Sequence, residues 1–571
     1  MKNFTYLKAL PLLILMLTTY LAKAQVGTPF SKRYDNRLKG ELTFLSNNIV
    51  SKDDNTISSN DPYNGNENNN SVNVEYIDVD ADPTTFSSST SVLDLPGCYK
   101  IRYAGLYWSA IYPFDRGFAG NDATGDGIVY PYTSVKVSVP GQAYADVTGT
   151  QIYYGTPTGR FHETSYVCYA DITNLVTPLT DPTGAYTVAN VRATQGRKNG
   201  GSGGGWIIVI VYENPALPGK YISTFDGYAA VTGRFSNTPP DPSSFLDFGY
   251  SGFTTIPTGP VRARIGIGTL EGDRSITGDQ MLFKADLAPG FTNLFNAGNP
   301  ITNFFNANIT NDGLNVSNRT PNSTNTLGFD ADIFNLANPG NSIITNNETG
   351  ATIRTLTNGD GFGVFLNTLS IEIIEPTIIL KKGVEDLSGT DIQGGDVTLG
   401  QLLDYVLTFQ NIGNDNAVNY TIRDVLPTNV DIIPADIVLP PGVTYTYDPV
   451  AHAVTFTIPN NLVEIGDPEY EIRLRVKVLE HCGGLRDACS NVIQNLAYST
   501  YQGEINPTLI SDDPSFSDFD VCGFGTPGST NFLVGLDDCN FERTEILCGD
   551  SITLTAGNGF VAYEWRDSSN N

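Results

Sequence analysis

Asp404-Tyr-Val-Leu-Thr-Phe-Gln-Asn-Ile-Gly413, followed by Asn414-Asp-Asn-Ala-Val-Asn-Tyr-Thr-Ile-Arg-Asp-Val-Leu-Pro427, decides the fold class of this chain. Tyr405, Leu407 and Phe409 alternate with Val406, Thr408 and Gln410, the period-two pattern of a strand with one face in a core. Asn411-Ile412-Gly413-Asn414 ends it with residues that tolerate left-handed backbone angles. Tyr420 and Ile422 start a second strand, and Pro427 stops it because proline donates no ladder hydrogen bond.

The same pattern extends in both directions. Towards the C-terminus it predicts strands over 378–382, 402–410, 420–423, 454–458 and 470–478; in the last, Ile472, Leu474, Val476 and Val478 face inwards. Towards the N-terminus, Val72, Val74 and Tyr76 alternate, as do Tyr99, Ile101, Tyr103 and Tyr107, then Val135, Val137 and Val139. Val261, Ala263, Ile265 and Ile267 form a further series, and Leu369, Ile371 and Ile373 the last before a linker at Glu375-Pro376. Trp206-Ile-Ile-Val-Ile-Val-Tyr212 is unbroken apolar sequence, which predicts a central strand covered on both faces. Long helical periodicity is absent, so the fold class is all-β, built as tandem β-sandwiches.

The strand pair around Asn411 resembles a bacterial cell-surface repeat domain of the "conserved repeat, unknown function" type, an immunoglobulin-like sandwich of secreted bacterial proteins. Tyr405, Asn411, Gly413, Asp424 and Pro427 carry the likeness. Further upstream, Tyr103-Ala-Gly-Leu-Tyr-Trp108, Gly205-Trp-Ile-Ile-Val-Ile-Val-Tyr-Glu213, Phe225-Asp-Gly227, Glu271-Gly-Asp-Arg274 and Thr277-Gly-Asp279 are similar to the large β-domain of adhesin-like surface proteins from gliding bacteria. Cys548-Gly-Asp-Ser-Ile-Thr-Leu-Thr-Ala-Gly557 and Phe560-Val-Ala-Tyr-Glu-Trp565 resemble the first strands of immunoglobulin-like domains near the C-terminus of type IX-secreted proteins. The expected organisation is a signal peptide (1–24) and a large N-terminal jelly-roll-like or double sandwich (25–375), with a candidate break near 240. An Ig-like repeat domain (376–505), a Cys-rich extension (506–540) and the start of a truncated Ig-like domain (541–571) follow.

Lys2 and Lys8, the apolar run Leu10 to Leu21, and Ala22-Lys23-Ala24 have the layout of a cleaved export signal. No later stretch is long and apolar enough to span a bilayer as a helix. With 571 residues and a formal net charge of −28, the chain lacks the clustered cations that nucleic acid requires. Seven cysteines in an exported chain imply disulfides. The candidates are Cys98, Cys168, Cys482, Cys489, Cys522 and Cys539, with Cys98 and Cys168 expected to pair and Cys548 expected to have its partner beyond residue 571.

Catalytic patterns are weak. His162-Glu163 has Tyr166 where a zinc-protease motif needs its second histidine, and His452 and His481 read as ordinary surface or core residues. Gly200-Gly-Ser-Gly-Gly204 matches a nucleophile elbow, but a β-type run follows Ser202 where a helix is required, so a flexible loop is expected. Calcium is the one cofactor with candidate ligands: Asp78, Asp80 and Asp82 alternate, and Asn121, Asp122 and Asp126 sit in a Gly-rich turn. The plain alternative is that aspartate is common in exported β-loops. Neither is an EF-hand, since Pro83 and Ser89 occupy the first segment's glycine and bidentate-glutamate places. Asn358-Gly359-Asp360-Gly361 reads as a simple turn. Tyr153-Tyr154 and Tyr130-Pro131-Tyr132 offer aromatic faces to carbohydrate, against packing as the alternative.

These readings favour a noncatalytic, secreted or cell-surface adhesin-like protein that contacts a polysaccharide or protein ligand. The resemblances imply type IX export through a C-terminal sorting domain beyond residue 571, and a link with gliding or surface colonisation. The alternatives are an exported polysaccharide-binding or polysaccharide-degrading protein with an unrecognised carboxylate site, and a structural filament subunit.

Overall fold

The computed structural model describes residues 25–112, 114–118, 121–124, 128–155, 164–233, 235, 241–480 and 491–535. The expectations placed on 1–24, Asp126, His162, His481, Cys482, Cys489, Cys539, Cys548 and the module from Phe541 fall outside these residues. Of Asn121 and Asp122 only the backbone is described. The chain forms two compact units, Met1–Ile373 and Ile374–Asn571.

The N-terminal unit is organised on an eleven-stranded sheet whose middle is the strand Gln25–Asn48. Its later part pairs with Gly204–Glu213 and its earlier part with Gly219–Val231, both antiparallel, so one long strand joins two halves of the sheet. Register shifts between Val26 and Tyr34 absorb the twist that so long a strand accumulates. The central strand behaves as its composition demands: Trp206, Ile208 and Ile210 enter one core, while Ile207, Val209 and Val211 enter another on the opposite face. The first core is closed by the five-stranded sheet that includes Ser88–Leu93, Gly184–Ala189 and Ser134–Ser138. A further core lies under the four-stranded sheet of Phe245–Ser251, Gly350–Leu356, Gln280–Ala285 and Thr292–Leu294. The eleven-stranded sheet takes strands from both sides of position 240.

Trp206 is fully buried and its indole N–H donates to the Ser89 hydroxyl at 2.8 Å. Trp206→Ala is expected to cost about 3–5 kcal/mol through the cavity it leaves. Trp206→Phe, losing mainly the donor, should cost about 1–2 kcal/mol, as read by denaturant titration.

Two expectations need correction here. Cys168 is a buried free thiol and is not bonded to Cys98. Strand alternation in Ser165–Asp171 aims Cys168 into the core with Trp108 and Tyr166, and burial pushes its thiol up to about 12. Cys98 lies in the half-exposed turn before Lys100–Ile111, and Cys98 and Cys522 are each disulfide-bonded. The Gly-rich run is packed from Gly201 onwards, while Asn199 and Gly200 are exposed. A Cβ on Gly203 or Gly205 would sit 2.7 Å from the Leu327 carbonyl oxygen or 2.6 Å from that of Asn47.

In the C-terminal unit, the six-stranded sheet contains Tyr470–Val478, Leu402–Asn411 and Ile378–Glu385, and the five-stranded sheet contains Ala453–Thr457, Ala417–Val425 and Ala497–Gly503. One core fills the sandwich, with Tyr405, Leu407 and Phe409 facing Tyr420 and Ile422. Among the described residues, the stretch read as an extension adds strands to each of the unit's three sheets. Leu509–Pro514 joins the five-stranded sheet, Phe516–Phe519 and Gly525–Pro527 the six-stranded one, and Thr530–Val534 a three-stranded one. Leu509–Pro514 is polar and pairs at an edge, so it carries little periodicity, whereas Thr530–Val534 alternates, with Phe532 and Val534 in the core, and is the middle strand of its sheet.

Gly413 is needed for space, not for a left-handed angle: a Cβ there would lie 2.4 Å from the Thr377 backbone nitrogen. The left-handed residue of this region is Asn419, at φ 57°.

Candidate functional site

Two features of the N-terminal unit have the character of a site. The first is a groove of about 380 Å³ lined by Val26, Pro29, Phe30, Phe225, Phe248 and Tyr250. It forms where the start of Gln25–Asn48 passes over Phe245–Ser251, whose alternation turns Phe248 and Tyr250 to the same side. Phe30 meets Phe248 edge-on at 4.6 Å, and Phe225 meets Tyr250 edge-on at 5.6 Å. Arg354 holds Asp247 through two hydrogen bonds of 2.7 Å, which places charge beside the apolar lining. Apolar aromatic walls with a few polar groups nearby are what a binding groove of this size requires.

The second feature is a set of buried carboxylates. Asp330 and Asp332 alternate on Phe329–Asn335, paired with Thr269 and Ile267 of Ala263–Leu270. Glu271 and Asp273 follow that strand, Asp279 precedes Gln280–Ala285, and Asp360 precedes Phe362–Glu372. All six are buried. Glu271 has a left-handed backbone at φ 71°, and Gly272 is obligatory beside it, since a Cβ would lie 2.5 Å from Asp330 Oδ2.

Some oxygens are satisfied: Asp360 Oδ2 accepts from the Asp273 N–H at 2.9 Å, Asp330 Oδ1 from the Asn308 N–H at 3.0 Å, and Glu271 Oε2 from the Asn69 amide at 3.0 Å. Glu271 Oε1, Asp273 Oδ1, Asp279 Oδ1 and Asp332 Oδ2 are buried with no donor. Burial pushes Asp273 up to about 6, Asp279 and Asp332 to about 7, and Asp360 to about 8, the last also through the Asp273 charge. Glu271 and Asp330 are carried well above the usual carboxylate range by burial, and then by Asp273 and Asp332 respectively. Burial therefore favours the protonated over the charged form of these groups. Hard carboxylate oxygens of this kind suit calcium over softer metals. Among the described residues, no three His, Cys, Asp or Glu side chains are already gathered into a metal-holding group.

The residues singled out from sequence lie elsewhere. Asp78 Oδ1 accepts from the Ser88 hydroxyl, Asp80 Oδ1 from the Thr85 hydroxyl and the Asp82 N–H, and Asp82 Oδ1 from Thr84. Ser202 is buried and donates to the Thr194 carbonyl, and His452 Nδ1 lies 3.0 Å from the Leu426 carbonyl oxygen. Tyr153 stacks on Tyr228 at 4.0 Å and Tyr154 on Tyr132 at 5.0 Å, so both pack against other rings. Asp360, read as part of a plain turn, instead enters the carboxylate set. The segments 271–274 and 277–279 were visible as motifs, but no local signal ties them to Asp330 or Asp360.

The fold defines the class: an all-β protein of tandem sandwiches, with no helix among the described residues long and apolar enough to cross a membrane. No family model matches the chain, and no curated protein matches it. Similar solved structures are bacterial surface adhesins and pilins. The major pilin subunit BcpA of Bacillus cereus is 10% identical, with 48% of this chain and 69% of that chain covered and a TM-score of 0.23. The N-terminal domain of the Streptococcus gordonii adhesin Sgo0707 is 11% identical, with coverages of 90% and 94% and a TM-score of 0.23. The C-terminal domain of the Streptococcus pyogenes antigen I/II-family protein AspA is 11% identical, covering 56% and 93%, at a TM-score of 0.20.

Proposed function

We propose that this chain is a noncatalytic secreted or cell-surface protein that binds an extracellular polysaccharide or protein through its N-terminal unit. The aromatic groove carries the reading, because the half-buried rings of Phe30 and Phe225, backed by the buried Phe248 and Tyr250, suit the apolar face of a sugar or a bulky side chain. Disulfide-bonded Cys98 and Cys522 support an oxidising, extracytoplasmic setting. Type IX export through a sorting domain, and a part in gliding or surface colonisation, belong to this proposal on the strength of the sequence resemblances. The C-terminal unit serves as a stalk.

Immobilised cells and polysaccharides test the reading. The fragment 25–375 is expected to bind and the fragment 376–535 is not. Phe30→Ala should weaken binding about tenfold while leaving the melting temperature within a few degrees. Equal binding by both fragments rejects it, and release of reducing sugar from the polysaccharide would favour the degrading-enzyme alternative.

Calcium remains part of the proposal, with the buried carboxylates as a further candidate seat beside Asp78, Asp80 and Asp82.

A further inference from the structure

The core of the C-terminal unit contains three polar side chains in places that strand alternation reserves for apolar ones. Ile378, Leu380 and Val384 point inwards from Ile378–Glu385, and Lys382 takes the inward place between them. Tyr420 and Ile422 point inwards from Ala417–Val425, and Asp424 continues that row. Ile493 and Ala497 are core residues, and Asn495 lies between them on the same face. The exposures of Lys382, Asp424 and Asn495 are 1%, 0% and 4%.

These side chains converge. Lys382 Nζ donates to Asp424 Oδ2 and lies 4.2 Å from the centre of the Tyr405 ring. The Asn495 side chain approaches the hydroxyl of that same tyrosine. Asp424 pairs across the sheet with Ala497, which makes Asn495 its diagonal neighbour on the core side. Asp424 Oδ1, Asn495 Nδ2 and the Tyr405 hydroxyl are all buried without a hydrogen-bond partner. A sandwich core gains little from an ion pair, because desolvation consumes most of the attraction, and an amide left unpaired there is a further cost.

We propose that Lys382 and Asn495 are joined by an intramolecular isopeptide bond that the folded unit forms itself, with Asp424 as the proton carrier. The ammonium of Lys382 passes one proton to Asp424, leaving a neutral amine. Burial of Lys382, which lowers its affinity for a proton, favours this transfer. The lone pair on Nζ attacks Asn495 Cγ, and protonated Asp424 hydrogen-bonds the carbonyl oxygen as charge develops on it. The new Cγ–Nζ bond forms as the Cγ–Nδ2 bond breaks. Nδ2 leaves with its own two hydrogens and one from Nζ, as ammonia, and Nζ keeps one hydrogen in the amide. No oxidant or cofactor enters the balance. Holding the groups together in a dry core supplies the effective concentration that the uncatalysed reaction lacks. The product links the first strand of the unit to the segment beside its last sheet, bracing it against pulling along the chain, and it removes the buried ammonium and the orphaned Nδ2.

Mass spectrometry of the purified full chain decides it. The intact mass should be lower by one ammonia. A tryptic digest should yield a branched peptide joining the segments of Lys382 and Asn495, with no cleavage after Lys382. Asn495→Ala should restore the expected mass and cleavage at Lys382, and Asp424→Asn should leave the bond unformed. If those variants fail to fold, the wild-type digest still decides. Linear peptides cleaved after Lys382 overturn the proposal. A branched peptide to Asp424 with loss of water instead of ammonia overturns the assignment of Asn495.

Discussion

Raising the pH from about 5 to about 8 in the presence of a chelator is expected to lower the unfolding midpoint of the N-terminal unit, as reported by emission from Trp108 and Trp206. The cause is the buried carboxylate set. In the unfolded chain these groups lose their protons near the ordinary 3.8 of aspartate, whereas in the folded unit Asp273 waits until about 6, Asp279 and Asp332 until about 7 and Asp360 until about 8. Between those values the folded state binds more protons, so stability falls with rising pH. At about 1.4 kcal/mol for each tenfold change in acidity, Asp360 alone corresponds to several kcal/mol. Groups with the opposite sign act lower on the scale. The Thr56 hydroxyl holds Asp54 at about 2, so its stabilising effect is lost only as pH falls below about 4.

Asp330→Asn should raise the midpoint at about pH 8 and change it little at about pH 5, flattening the profile, because the amide removes a charge that burial disfavours. A rising profile between these values would contradict the account of the carboxylates. Calcium added at about pH 8 is expected to recover the lost stability, since a hard cation would replace the missing protons. An unchanged midpoint removes calcium from the proposed function and leaves the pH profile standing.

Asn411→Ala should unfold the C-terminal unit under conditions where the wild type is folded. The Asn411 amide donates to the carbonyls of Asp415 at 2.7 Å and Val463 at 2.9 Å, while its oxygen accepts from the N–H groups of Gly413 at 3.0 Å and Thr377 at 3.2 Å. The residue is 3% exposed, so alanine takes away the partner of the Asp415 carbonyl and of the Gly413 and Thr377 N–H groups, while the Val463 carbonyl keeps the Ala417 N–H at 3.0 Å. Each orphaned group costs about 1–3 kcal/mol, and a total on the order of 4 kcal/mol or more is comparable with the stability of a domain. Asn411→Asp is expected to be nearly as damaging, because a carboxylate cannot donate to the two carbonyls. A denaturant midpoint for either variant within experimental error of the wild type would show that the hub is dispensable.

Asn411 also shows how far local sequence reaches. The residue stood out at the end of an alternating run, and the turn chemistry read there covers its bonds to Gly413 and Asp415, whereas its bonds to Thr377 and Val463 join distant segments that no local pattern names. The strand of Trp206 to Tyr212 was readable for the same reason: an unbroken apolar run has two greasy faces, and both are covered. Alternation likewise placed Leu402–Asn411 and Tyr470–Val478, because side-chain direction in a strand is set residue by residue.

What the amino-acid order determined alone was therefore the β character of both units and the inward or outward direction of side chains along their longer strands. Only the tertiary structure decided which distant residues meet. It separated Cys168 from Cys98 by turning the thiol into a core, drew Asp360 from a turn into a group with Glu271 and Asp330, and set Lys382, Asp424 and Asn495 around one tyrosine. Strand pairing joins segments far apart in the chain, and its register, which one residue's slip would invert, is fixed by the packing of whole sheets and not by any short stretch.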